Sequence, residues 1–127
     1  MTPVISIIDD DVSIRVGLDN LVRSLGYFVR TFASAEDFLR SSQLHDTWCV
    51  IADVRMPAMS GVQMQSHLRE HGYGVPFIFI TALPDEDNRR QALSDGALCF
   101  LTKPFDEEVL IGCLDLAIAQ HGRGAEL

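Results

Sequence analysis

Apolar and polar positions along the chain follow two alternating rhythms. Val4-Ile5-Ser6-Ile7-Ile8 is a strand-length run that ends in acid. Ile14, Leu18, Leu21, Val22 and Leu25 then fall at the spacing of one helix face, and Gly26 is a predicted stop. Residues 28–32 alternate as a strand does, and Ser34 opens a short helix carrying Phe38 and Leu39. Cys49-Val50-Ile51-Ala52 predicts a third strand, followed by a loop over 56–61 and a helix over 62–71 that Gly72 ends. Residues 75–80 form the most apolar strand, with Pro76 near its start, where a missing N–H is tolerated. A polar helix over 86–95 stopped by Gly96, a strand over 98–101 and an amphipathic helix over 106–120 capped by Asp106 complete the pattern.

Five strand–helix units with short connections predict an α/β fold with helices on both faces of a parallel sheet. Near-continuous apolar strands fit a sheet covered on both sides. The expected architecture is a (βα)5 flavodoxin-like three-layer sandwich with five strands in the order 2-1-3-4-5. A chain of 127 residues suits one domain, expected over 1–121, with 122–127 as a loose polar tail.

Composition narrows the function classes. The 47% hydrophobic content is too high for a disordered chain, and the net charge of −8 argues against a direct grip on nucleic acid. The longest mostly apolar stretch, 75–83, is far short of the ~20 residues a membrane helix needs. The N-terminus lacks the basic start and apolar core of a secretory signal, so a cytoplasmic protein without membrane attachment is expected. Cys49, Cys99 and Cys113 are widely spaced in apolar surroundings and read as reduced packing residues. His45, His67, His71 and His121 match no metal spacing, and His67 with His71 reads as a solvated helix face.

Candidate chemistry collects at the strand ends, where open α/β sheets bind ligands. The first strand ends in Asp9-Asp10-Asp11, the third in Asp53, the fourth in Thr81 and the fifth in Thr102-Lys103-Pro104. In the expected strand order these groups converge on one pocket. Oxygen ligands of this kind suit Mg²⁺. Two carboxylates at ~5 Å and an effective dielectric of ~20 repel by about 3 kcal/mol, which a cation or Lys103 must offset. Asp53, closing an apolar strand and facing a loop, is the natural nucleophile for an acyl phosphate. Mg²⁺, the Lys103 ammonium and the Thr81 hydroxyl would share the transferred oxygens.

Each residue also has a bland reading. Asp11 suits the N-cap of the first helix, Asp9 and Asp10 a solvated loop, Thr81 a strand end, Lys103 a turn and Phe100 the core. Singly, these readings win for all but Asp53; four strand ends furnished together favour the site.

These residues resemble the receiver domain of two-component response regulators over about 4–120. Ile7-Ile8-Asp9-Asp10-Asp11 is similar to the family's acid cluster, in which the resemblance implies that Asp10 binds Mg²⁺ (or Mn²⁺) directly and Asp9 through water. Asp53, in Asp53-Val-Arg-Met-Pro-Ala-Met-Ser-Gly61, falls on the phospho-acceptor, and the backbone carbonyl of Arg55 would complete the protein's metal ligands. Thr81-Ala82 is similar to the switch hydroxyl and its small neighbour, and Phe100 falls on the aromatic switch position. Lys103-Pro104-Phe105 matches a stretch whose Lys103–Pro104 bond the resemblance implies to be cis.

The implied function is phosphorylation of Asp53 by a sensor histidine kinase or phosphotransfer protein, or by a small phosphodonor. The implied output is a downstream protein, or a homodimer, engaged through the face of helix four, strand five and helix five. Residues 30–39, 59–62 and 79–82 resemble the nitrogen-fixation-type subgroup, usually transcription regulators with a helix-turn-helix. The ending of this sequence leads us to expect a single-domain regulator, with a receiver cut from such a regulator as the alternative. A haloacid-dehalogenase-type aspartyl-phosphate phosphatase is disfavoured because Arg55 stands where its second aspartate belongs. A flavodoxin is disfavoured because the first loop is acidic where a flavin phosphate needs donors. Leu83 cannot orient an attacking water, so slow self-dephosphorylation is expected.

Overall fold

The computed structural model describes residues 2–42 and 44–125, with the side chains of 122–125 excepted. Five parallel strands form one sheet in the order β2-β1-β3-β4-β5: β1 (Val4–Ile8), β2 (Phe28–Phe32), β3 (Cys49–Ala52), β4 (Phe77–Thr81) and β5 (Cys99–Thr102). The helices are α1 (Val12–Ser24), α2 (Ala35–Arg40), α3 (Gly61–Glu70), α4 (Glu86–Ser94) and α5 (Glu107–Ala125), with a 3-10 turn over Leu44–Asp46. The expected flavodoxin-like sandwich and strand order are both present.

Alternation along the strands divides the core into two layers. Val50, Ala52, Phe77 and Phe79 face Phe38 of α2, Met64 and Leu68 of α3 and Ala92 of α4. Ile5, Ile7, Ile51, Ile78 and Ile80 face Leu18 and Val22 of α1 and Leu110, Leu114 and Ala117 of α5. Central strands covered on both faces need apolar residues throughout, which is why β3 and β4 read as unbroken runs.

Helix starts are set by short polar side chains. Asp11 accepts from the amides of Ser13 and Ile14, and Asp85 from those of Asp87 and Asn88. Ser60 and Gln63 form a reciprocal capping box at the head of α3. Gly26, at φ +94°, takes the left-handed turn that ends α1 and returns the chain to β2.

Three sequence expectations need correction. The fourth strand begins at Phe77 rather than at 75, because Pro76 donates no hydrogen bond to the ladder. Residues 122–125, expected as part of a loose tail, continue α5 to Ala125; 126 and 127 lie outside the described residues. Cys99 and Cys113, expected as reduced packing residues, are joined as a disulfide because α5 folds back over β5. Cys49 alone is a free, buried thiol.

Candidate functional site

Parallel register brings the strand ends to one edge. Ile8 pairs with Ala52, Ala52 with Phe79, and Thr81 with Thr102. The pairing continues past the strands: the Asp53 amide donates to the Ile8 carbonyl at 3.1 Å, and the Lys103 amide to the Thr81 carbonyl at 2.8 Å. Asp9, Asp53, Thr81 and Lys103 are therefore placed by backbone ladders rather than by free loops.

Lys103 is the hub. Its Nζ lies 3.2 Å from Asp9 Oδ2 and 3.1 Å from Asp53 Oδ2. All three side chains are largely buried, at 16%, 3% and 12% exposure for Lys103, Asp9 and Asp53. The second oxygen of Asp9 accepts from the Asp11 amide at 2.9 Å, and that of Asp53 from the Arg55 amide at 3.2 Å. Arg15 donates to the Asp9 carbonyl at 2.6 Å from α1. The Lys103–Pro104 peptide bond is cis.

Charge and burial compete here. Burial raises the Asp9 pKa above its usual value, the Asp11 amide and Lys103 oppose the rise, and the Asp53 carboxylate adds to it. Burial alone would lower the Lys103 pKa, but Asp9 and Asp53 outweigh it and hold the ammonium above its ordinary range.

Asp10 is exposed, yet one of its carboxylate oxygens joins those of Asp9 and Asp53 within 4.8 Å of one another. Three carboxylates thus face one ammonium. An all-oxygen donor set of mixed burial, one side open to solvent, fits a hard divalent cation that keeps part of its water shell. Among the described residues this is the one His/Cys/Asp/Glu group with such spacing. Arg55 reaches the site through its amide, while its guanidinium lies 3.9 Å from Asp85.

Thr81 is buried, and its hydroxyl accepts from the Leu83 amide at 3.2 Å and donates to the Leu83 carbonyl at 3.4 Å. Phe100 is half-buried, tilted against Phe79 with centroids 6.2 Å apart. The sequence reading did not find Gly61 as a steric requirement. A Cβ there would stand 2.3 Å from the Asp53 carbonyl oxygen and 2.9 Å from the Phe79 ring, so α3 approaches the Asp53 backbone only through glycine. Its place at the end of the Asp53–Gly61 motif was the available signal.

The sequence profile described as "Response regulator receiver domain" matches residues 5–115. The chain is 44% identical over 115 residues to the response regulator protein TodT of Pseudomonas putida, covering 91% of this chain and 51% of TodT. Among solved structures, it superposes on response regulator StyR with a TM-score of 0.88 and 36% identity, covering 99% of this chain and 64% of StyR. On FixJ-N the TM-score is 0.83 with 30% identity, over 94% of this chain and 95% of that one. The chain spans about half the length of the curated relatives it matches first.

Proposed function

This chain belongs to the response regulator receiver domain family, and on that premise we propose that Asp53 is its phospho-acceptor, within a receiver spanning 1–121. The family is not a conventional enzyme family. The observation that carries the proposal is Asp53 at the end of fully buried β3, its carboxylate 3.1 Å from Lys103 and within 4.8 Å of Asp9 and Asp10.

A carboxylate oxygen of Asp53 attacks the phosphorus of a phosphohistidine or a small phosphodonor, and the donor's bond to phosphorus breaks as the acyl phosphate forms. Lys103 pairs with the incoming phosphoryl oxygens. Asp9, Asp10, Asp53 and the Arg55 carbonyl would hold Mg²⁺ or Mn²⁺. When bound, the cation supplies charge neutralisation for the transferred oxygens. The new charge of about −2 draws the Thr81 hydroxyl away from Leu83, and Phe100 turns into the space it leaves. The face of α4, β5 and α5 then changes shape.

Exposed Leu93, Val109 and Leu116 on α4 and α5 support that face as the docking surface for a downstream protein or a second copy. The donor is a sensor histidine kinase or phosphotransfer protein, and the setting is cytoplasmic; no described helix is long and apolar enough to cross a membrane. Leu83, exposed and apolar beside Thr81, supports slow self-dephosphorylation.

Incubation with a labelled phosphodonor and Mg²⁺ tests the assignment. Wild type is expected to acquire a hydroxylamine-sensitive label and Asp53→Asn none; equal labelling of both would overturn it. The first reading of the whole protein is a single-domain regulator. The second reading, a receiver within a longer helix-turn-helix regulator, is supported by relatives about twice as long, among them transcriptional regulatory protein TdiR of Thauera aromatica. The length of the native reading frame decides between them.

A further inference from the structure

Helix α5 packs one face, Leu110, Cys113, Leu114 and Ala117, into the layer formed by Ile51, Ile78 and Ile80, and Cys99 and Leu101 of β5 pack against that layer. There Cys113, buried, is bonded to Cys99, half-buried, with Cα atoms 6.4 Å apart and a sequence separation of 14. Phe100 and Lys103 both lie inside the loop this bond closes. Cys99 and Leu101 belong to the α1–α5 layer, whereas Phe100 packs in the other layer with Phe79. The bond therefore holds β5 from behind the face on which Phe100 packs. Cys49, fully buried in β3, has its thiol pKa pushed up by burial and takes no part in exchange.

We propose that Cys99 and Cys113 form a reversible redox tether that fixes β5 to α5 and restrains the segment carrying Phe100 and Lys103. The tether stands on the pairing itself. Its regulatory half, slower phosphorylation when oxidised, rests on the reading of Asp53 as phospho-acceptor.

The oxidant is a small disulfide of the glutathione class. Cys99, the more exposed thiol, loses its proton and attacks one sulfur of that disulfide, and the released thiolate takes up a proton. Cys113 then loses its proton and attacks Cys99 Sγ, breaking the mixed disulfide and releasing a second small thiol. Two protein thiols are oxidised and one small disulfide is reduced to two thiols. Excess small thiol runs the sequence backwards.

The full chain is equilibrated in graded mixtures of reduced and oxidised glutathione, then denatured, and its thiols are counted by alkylation and mass. The expected count falls from three to one between reducing and oxidising mixtures. Amide exchange across 99–113 should slow about tenfold on oxidation, and labelling of Asp53 by acetyl phosphate with Mg²⁺ should slow about threefold. In Cys99→Ser, and separately in Cys113→Ala, both differences should vanish. Three alkylatable thiols in every mixture, or identical exchange in both redox states, overturns the tether. Slowed exchange with unchanged labelling overturns the regulatory half alone. Absence of labelling in both states removes the phospho-acceptor reading and the regulatory half with it, while thiol count and exchange still decide the tether.

Discussion

Strands β3 and β4 are buried at every position, whereas β5, of comparable apolarity, is half-buried through Leu101 and exposed at Thr102. The helices repeat the contrast. Helix α3 buries Val62, Met64, Gln65 and Leu68, but α4, which covers the β5 side, buries only Ala92. Asp9 and Asp53 extend the central strands, so the proposed nucleophile and its buried neighbour Asp9 sit on the best-packed part of the molecule. Phe100, proposed to turn, lies on β5 where that packing thins out, whereas Thr81, proposed to move with it, ends buried β4. Local opening costs least where few apolar groups are buried. Chemistry that needs fixed distances and a response that needs a yielding surface are thereby placed on different strands of one sheet, with β4 between β3 and β5.

The sharpest way to break this comparison is to truncate one ring on each side of the boundary. Phe79, fully buried, should cost roughly 3–5 kcal/mol on substitution by alanine. Phe100→Ala should cost only about 1–2 kcal/mol, since its ring is half in solvent and the margin can close over the gap. Urea unfolding of the two variants measures both. Equal losses would mean that β5 is as firmly packed as β4.

Next in size is the charge hub. In Lys103→Met, Asp9 and Asp53 lose the ammonium that lies 3.2 and 3.1 Å away and are left facing each other with little solvent. The loss should be roughly 2–3 kcal/mol, below the figure for a fully buried pair because Lys103 keeps 16% exposure. Mg²⁺ should restore part of it. In the wild type, Mg²⁺ at ten times its dissociation constant should add about 1.4 kcal/mol and raise the melting temperature by a few degrees. Asp10→Ala should remove most of that gain, and a melting curve indifferent to Mg²⁺ in both proteins would count against the metal site.

Much of this arrangement was legible in the chain because its signals are local. Apolar runs ending in Asp9, Asp53, Thr81 and Lys103 identify strand ends, and a parallel sheet gathers such ends on one edge whatever the details of packing. The Asp11 cap was legible for the same reason. What escaped depends on how distant elements fold together. Cys99 and Cys113 meet only because α5 returns across β5, and nothing in their spacing separates that from two packing residues. The extension of α5 through 121–125 overrides two glycines that weaken a helix on local grounds. The demand for Gly61 comes from the Asp53 carbonyl pressing on the head of α3, a distance no periodicity encodes.

The smallest effect sharpens the comparison through pH. Asp95, at the end of α4, has its pKa lowered by the Gln91 side-chain amide foremost, with Ser66 and Arg69 of α3 adding to the effect against a desolvation cost. Asp9, in the packed centre, is shifted the opposite way by burial. A lowered carboxylate binds fewer protons folded than unfolded, so the stability Asp95 contributes is present above its ordinary value of 3.8 and is lost as pH falls through its lower folded value. A raised carboxylate binds more, so Asp9 makes the fold less stable as pH rises from 3.8 through its higher folded value. Asp95→Asn should therefore flatten the acid limb of the stability curve below 3.8, and Asp9→Asn should flatten the slope just above it. The Asp95 change should stay below about 1 kcal/mol, because its partner Arg69 is 55% exposed. Urea midpoints across this acid range measure both slopes, and the same sign of change in the two variants would show that centre and margin do not differ in the way their burial implies.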